Sequence, residues 1–182
     1  QVAQGEGRWT LWTVGRTVPP GRIVPVRGQA FDRALRYHVR AGQEEANLLE
    51  FTPAAAGRLV ISFAARAASV SARTLDITLF RAGGSGWRDQ AWALVWGREP
   101  GRLCDLSGSL APVDGEWHKY TVVSDLNNGS YEVWRDGERL AADRAFRSKP
   151  DAGTPFGRLR IGITHENRIA AGSALAEGSH AD

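Results

Sequence analysis

Apolar and polar residues alternate with a period of two over one short segment after another, and turn-forming residues separate the segments. In an extended chain that period sends successive side chains to opposite faces, so it predicts strands with one apolar and one polar side. The clearest run is 115–140. Trp117, Lys119, Thr121 and Val123 share one face there, and His118, Tyr120 and Val122 the other. The alternation breaks at 125–130, where Asn127, Asn128 and Gly129 tolerate positive φ in a hairpin loop. It resumes over 131–135, and Asp136 with Gly137 then predicts a turn of the type I′ kind.

Strands are also predicted over 8–14, 22–26, 35–39, 47–51, 59–65, 75–80, 90–96, 102–106 and 159–163, with 117–123 and 131–134 as the hairpin. Each is bounded by Gly, Pro, Asp or Asn. Many short strands at this spacing mark an all-β sandwich or barrel. The Ala-rich stretch 64–72 contains Ser69, Val70 and Ser71 and reads as a strand end followed by a loop, so little helix is expected.

The more apolar face of a strand normally packs between the sheets. Leu59, Ile61, Phe63 and Ala65 form one inward set and Leu75, Ile77 and Leu79 the next. Arg58, Val60, Ser62, Ala64 and Arg66 then lie on the other side, beside Thr74, Asp76, Thr78 and Phe80. Arg36, His38 and Arg40 alternate with Leu35, Tyr37 and Val39 in the same way. If these strands share a sheet, its open face carries His38, Arg40, Arg66 and Asp76, either as an ordinary solvated surface or as a surface for saccharide. Trp92 and Trp96 share a face, and the sequence leaves open whether it packs in the core or stacks on sugar rings. Trp87 differs, because Gly83, Gly84, Ser85 and Gly86 place it at a loop tip. It is the leading single candidate for ligand contact.

A tryptophan opening a strand at Trp117, the Asn127–Asn128–Gly129 loop, and the string Tyr131-x-Val133-x-x-Asp136-Gly137 resemble the laminin-G and concanavalin A-like lectin/glucanase jelly rolls. The resemblance implies an antiparallel two-sheet β-sandwich. It also implies a last strand returning beside the first, for which 169–175 is the candidate unless the chain stops near a domain boundary of a larger protein. It implies a structural calcium as well. Asp125 with Asn127 and Asn128, or Asp32, would supply oxygens, and the same residues also read as turn formers satisfying their own backbone. The glucanase branch carries Glu-x-Asp-x-x-Glu on one strand. No such string occurs here, and Glu44 and Glu45 read as a turn with Glu50 alone after it.

Composition narrows the classes. A chain of 182 residues with 42% apolar and 24% charged residues is expected to form one domain over 1–182, with 1–7 and 170–182 as flexible ends. No stretch approaches the roughly 20 apolar residues of a membrane span. The chain begins at Gln1 and contains no Met, which fits a processed or excised start and an exported, secreted or periplasmic protein. Cys104 is the only cysteine and reads as a small buried residue. The net charge is +3, and the 23 basic residues are arginine except Lys119 and Lys149. Interleaved Asp and Glu break up any dense basic stripe, which argues against nucleic acid. Arginine also suits carboxylate, sulfate and sugar faces.

The expected function is a non-catalytic carbohydrate-binding or adhesion module meeting a polysaccharide or glycan, with no catalytic residue and with His38, Arg40, Arg66, Asp76 and Trp87 as ligand contacts. The alternative is a lyase for uronic-acid polymers. It would draw on Tyr37, His38, Arg40, His118 and Tyr120, because that reaction needs a cation for the carboxylate and a group to move the α-proton.

Overall fold

A computed structural model describes residues 8–14, 22–25, 33–38, 44–67, 75–84, 86–148, 155–163 and 180–181, with the backbone course alone for 8–47, 163 and 180–181. In chain order the strands are β1 (Arg8–Val14), β2 (Arg22–Pro25), β3 (Arg33–His38), β4 (Glu44–Ala54), β5 (Arg58–Ala65), β6 (Leu75–Arg81) and β7 (Gln90–Trp96). They continue as β8 (Arg102–Cys104), β9 (Ser109–Pro112), β10 (His118–Asp125), β11 (Ser130–Arg135), β12 (Glu138–Ala145), β13 (Phe156–Ile163) and β14 (His180–Ala181). The one helical turn among the described residues is a 3-10 turn at Trp87–Asp89, and no helix is long and apolar enough to cross a membrane.

Two antiparallel sheets face each other as a jelly-roll sandwich. One has seven strands in the order β1-β4-β13-β6-β7-β8-β9 and the other four in the order β12-β11-β10-β5. A third, smaller sheet is β14-β3-β2. The core lies where the inward rows meet: Leu75, Ile77 and Leu79 of β6 and Trp92, Leu94 and Trp96 of β7 oppose Tyr120 and Val122 of β10 and Tyr131 and Val133 of β11. Trp92 and Trp96 are therefore core residues, which decides the question the sequence left open. Cys104 is fully buried too, and burial pushes its thiol pKa up.

The predicted hairpin is present. Val122 pairs with Val133 across β10 and β11, and Asp136 (φ 52°) with Gly137 (φ 87°) closes the next turn with the two positive φ angles of a type I′ connection. The inward sets of β5 and β6 are as expected, but these strands belong to different sheets. Their polar sides consequently face away from each other across the core.

Several local expectations are corrected. Glu44 and Glu45 begin β4 instead of forming a turn, because β4 is paired on one side by β1 and on the other by β13 down to Glu45. The strand predicted to reach Leu106 stops at Cys104, since the Asp105 carboxylate accepts the Ser107 and Gly108 amides at 2.7 and 2.8 Å and turns the chain. Strands β9 and β12 were not expected. His180–Ala181 form β14, which pairs His180 with His38. The last long strand, β13, sits between β4 and β6 and is separated from β1 by β4. Segments 1–7 and 169–175 lie outside the described residues.

Candidate functional site

The core contacts divide the sandwich into two rims. Trp96 meets Tyr120 and Phe63 at one end, whereas Trp92 reaches Ser124 and Tyr131 toward the other. His118, Trp117 and Arg66 therefore belong to the first rim, and Trp87, which precedes β7, belongs to the second.

At the second rim, β6 ends at Arg81 and the chain turns through a Gly84 N–H bond to the Arg81 carbonyl at 2.9 Å. The Gly86 amide donates to Asp89 Oδ2 at 3.1 Å, and the Asp89 amide to the Gly86 carbonyl at 2.9 Å, which tightens the turn that carries Trp87. Gly84 allows this packing, since a Cβ there would fall 2.6 Å from the Asp89 Cβ. Arg158 braces the loop from below. Its Nη1 donates to the Gly84 carbonyl at 2.8 Å while its guanidinium also pairs with Glu50. From the far side, Phe146–Ser148 runs along the start of β7, with the Arg147 and Ser148 amides on the Ala91 and Gln90 carbonyls at 2.8 and 2.9 Å. The Ser148 hydroxyl donates to the Arg88 carbonyl.

This scaffold presents Trp87 at 48% exposure, against the rule that large aromatics pack inside. Two guanidinium groups lie over its ring, Arg88 at 4.9 Å and Arg147 at 4.8 Å from the centroid. Cation–π attraction of this kind helps to order an exposed indole. Both arginines escaped the sequence reading. Arg88 is adjacent to Trp87 and could have been found there, but Arg147 arrives from a distant segment by way of β12.

Arg66 and Asp76, two of the other expected contacts, do not join Trp87. Arg66 is half-buried at the end of β5, its guanidinium 5.5 Å from the Trp117 ring centroid on the first rim. Asp76 is 0% exposed, so the open polar face expected to carry it is not formed. Its Oδ1 lies 3.7 Å from Arg160 Nε, and that guanidinium sits over the Phe80 ring at 4.7 Å. Thr78 on the same face is buried as well. His38 ends β3 in the small sheet, and Arg40 lies outside the described residues. The sandwich does have a wet face, on the four-stranded sheet. It carries Arg58, Val60, Ser62 and Lys119 in the open, and Ser62 Oγ meets Thr121 Oγ1 at 2.9 Å.

On the first rim His118 is held between two carboxylates. Its Nδ1 is 2.5 Å from Asp136 Oδ2, and its Nε2 is 2.9 Å from Asp114 Oδ2. Partial burial works to lower the imidazole pKa, but the bonds and charges of Asp136 and Asp114 outweigh it and hold the pKa above the ordinary value. The Glu116 amide and the His118 ring keep Asp114 below its ordinary value, and the ring together with the Lys119 amide does the same for Asp136. Both ring nitrogens are thus engaged. Tyr120 is buried against Phe63 and Trp96, and burial pushes its hydroxyl pKa up. Neither residue offers a solvent-facing base for the lyase reaction.

In the turn that the resemblance offers for calcium, the side-chain oxygens have hydrogen-bond partners within the chain. Asp125 Oδ1 accepts the Asn127 and Asn128 amides at 3.0 and 3.1 Å, and its Oδ2 accepts Asn128 Nδ2 at 2.8 Å. Asn127 Oδ1 accepts the Gly57 amide at 3.1 Å. These oxygens serve the turn itself. Among the described residues no group of three or more His, Cys, Asp and Glu is placed to hold a metal ion, and Asp32 lies outside them.

The chain superposes on a solved sialidase with a TM-score of 0.64 at 13% identity, over 94% of this chain. It spans 14% of that sialidase's length. The carbohydrate recognition domain of Emp46p, in a potassium-bound form, superposes with a TM-score of 0.53 at 10% identity, over 95% of this chain and 84% of the other. The fold is that of the concanavalin A-like lectin/glucanase jelly rolls. No protein-family model matches the chain, and no curated protein matches it in sequence.

Proposed function

We propose that this jelly roll is a non-catalytic carbohydrate-binding module whose contact surface is the Trp87 rim. The observation that carries the reading is an indole held half-exposed by Arg88 and Arg147 on a hydrogen-bonded loop. The part of the indole that the two guanidinium groups leave exposed is already ordered and can meet the apolar C–H surface of a pyranose without the entropy cost of fixing a mobile side chain. Guanidinium groups beside it donate hydrogen bonds to hydroxyl or acidic substituents. The recognition domain of Emp46p, with the same fold, supports the assignment as an analogy of architecture.

The ligand in this reading is a polysaccharide or glycan met outside the cell or in the periplasm. The module would serve one part of a larger protein, in keeping with the small share of the sialidase that it spans. Retention of the purified chain on immobilised neutral and acidic polysaccharides tests the binding. Retention on at least one is expected, and passage through all of them would contradict the proposal. Fractionation of cells producing the full-length protein tests the location, and a cytoplasmic pool alone would remove that part.

A further inference from the structure

We infer that the Trp87 rim selects saccharides bearing an anionic group, a carboxylate or a sulfate on a pyranose, over neutral ones. The inference rests on the carbohydrate-binding reading and specifies its ligand. Among the described residues neither the Arg88 nor the Arg147 guanidinium meets a carboxylate; Arg147 Nη1 has only the Gln90 side-chain carbonyl at 3.4 Å, and both groups lie over the Trp87 ring. Arg158, which braces the same loop, is by contrast paired with Glu50. Asp89, the carboxylate inside the loop, accepts the Gly86 amide. Two exposed cations therefore converge on one aromatic surface while the nearby acids are turned to other partners.

That arrangement matches a ring with a charged substituent at its edge. The sugar's C–H surface packs on the part of the indole that the guanidinium groups leave exposed, and its carboxylate or sulfate takes charge-assisted hydrogen bonds from one or both of those groups. A neutral sugar would keep the stacking and lose those bonds. The arginines come from two separate segments, the loop before β7 and the segment after β12, and each segment is pinned by backbone hydrogen bonds near Gln90. Their spacing is consequently set by the fold.

The test is isothermal titration of the whole chain with length-matched oligosaccharides of three kinds: oligogalacturonate, a sulfated galactan fragment and a neutral galactan fragment. Poly-glutamate of the same charge is the non-sugar control. Binding of one acidic oligosaccharide at least about tenfold tighter than the neutral one is expected, weakening as salt is added. The uronate and sulfate arms identify which anion is preferred. Arg88→Gln and Arg147→Gln should each weaken acidic binding by about fivefold to tenfold with the thermal midpoint retained, whereas Arg58→Gln, an exposed cation on the wet sheet face, should leave it unchanged. Equal affinity for neutral and acidic fragments would overturn the inference and leave the carbohydrate-binding reading standing. Poly-glutamate binding as tightly as the sugars, or loss of affinity in Arg58→Gln as large as in the rim variants, would overturn it by showing diffuse charge attraction. Absence of binding to any of the three sugars would overturn both.

Discussion

The Trp92 indole N–H donates to the Ser124 hydroxyl at 2.9 Å, fully buried, and so ties the seven-stranded sheet to the four-stranded one through the core. Ser124→Ala would leave that N–H without its acceptor in a fully buried site. It should lower unfolding stability by about 1–3 kcal/mol, measured by urea denaturation. In Trp92→Phe, Ser124→Ala should then cost less than it does in the parent, because the stranded donor has gone; equal costs in the two backgrounds would show that the bond contributes nothing.

The Asp114–His118–Asp136 cluster predicts a stability profile with two edges. His118 titrates above its ordinary 6.5 in the folded chain, so its contribution is complete below about pH 6.5 and is lost as the pH rises through the folded value. Asp114 and Asp136 titrate below their ordinary 3.8, so their contribution is present above that pH and is lost as the pH falls through their folded values. The urea midpoint should therefore be highest between about pH 4 and 6.5. His118→Ala should flatten the fall on the alkaline side. An unchanged slope above pH 6.5 in that variant would place the dependence elsewhere.

Gly84→Ala should damage the rim more than the fold. The added methyl would land 2.6 Å from the Asp89 Cβ and push apart the turn that carries Trp87, whereas the sandwich core lies outside that contact. The expected outcome is a loss of saccharide affinity of about tenfold or more, with a shift in thermal midpoint of only a few degrees. A variant that binds like the parent would mean that the loop need not hold this shape.

The period-two pattern made the sandwich legible because its core is built from strict alternation: Leu59, Ile61 and Phe63 of β5 and Tyr120 and Val122 of β10 lie side by side on the core face of one sheet. Strand β12 escaped because Glu138–Ala145 has no β-branched residue and pairs with β11 through register shifts, with Asp143 at φ 52°. Its extended form comes from the hairpin turn and its neighbour more than from its own composition. Strand β9 ends on Pro112, which an edge strand tolerates and a sequence pattern counts against it.

Of the proposed contact surface only Trp87 was legible, because its glycine-rich approach marked a loop tip. Alternation reports which residues share a face of one strand, and it is silent about which sheet the strand joins. Arg66 and Asp76 therefore read as neighbours, yet the chain passes from one sheet to the other between β5 and β6. Arg147 was invisible for a related reason: its partnership with Trp87 depends on where the chain leaves β12, a property of the assembled fold.

The most direct test compares the parent chain with Trp87→Ala in calorimetric titration against whichever oligosaccharide retains the protein. The account predicts saturable binding by the parent, a loss of about tenfold or more in the variant, and equal thermal midpoints for the two. Equal affinity in parent and variant would contradict it.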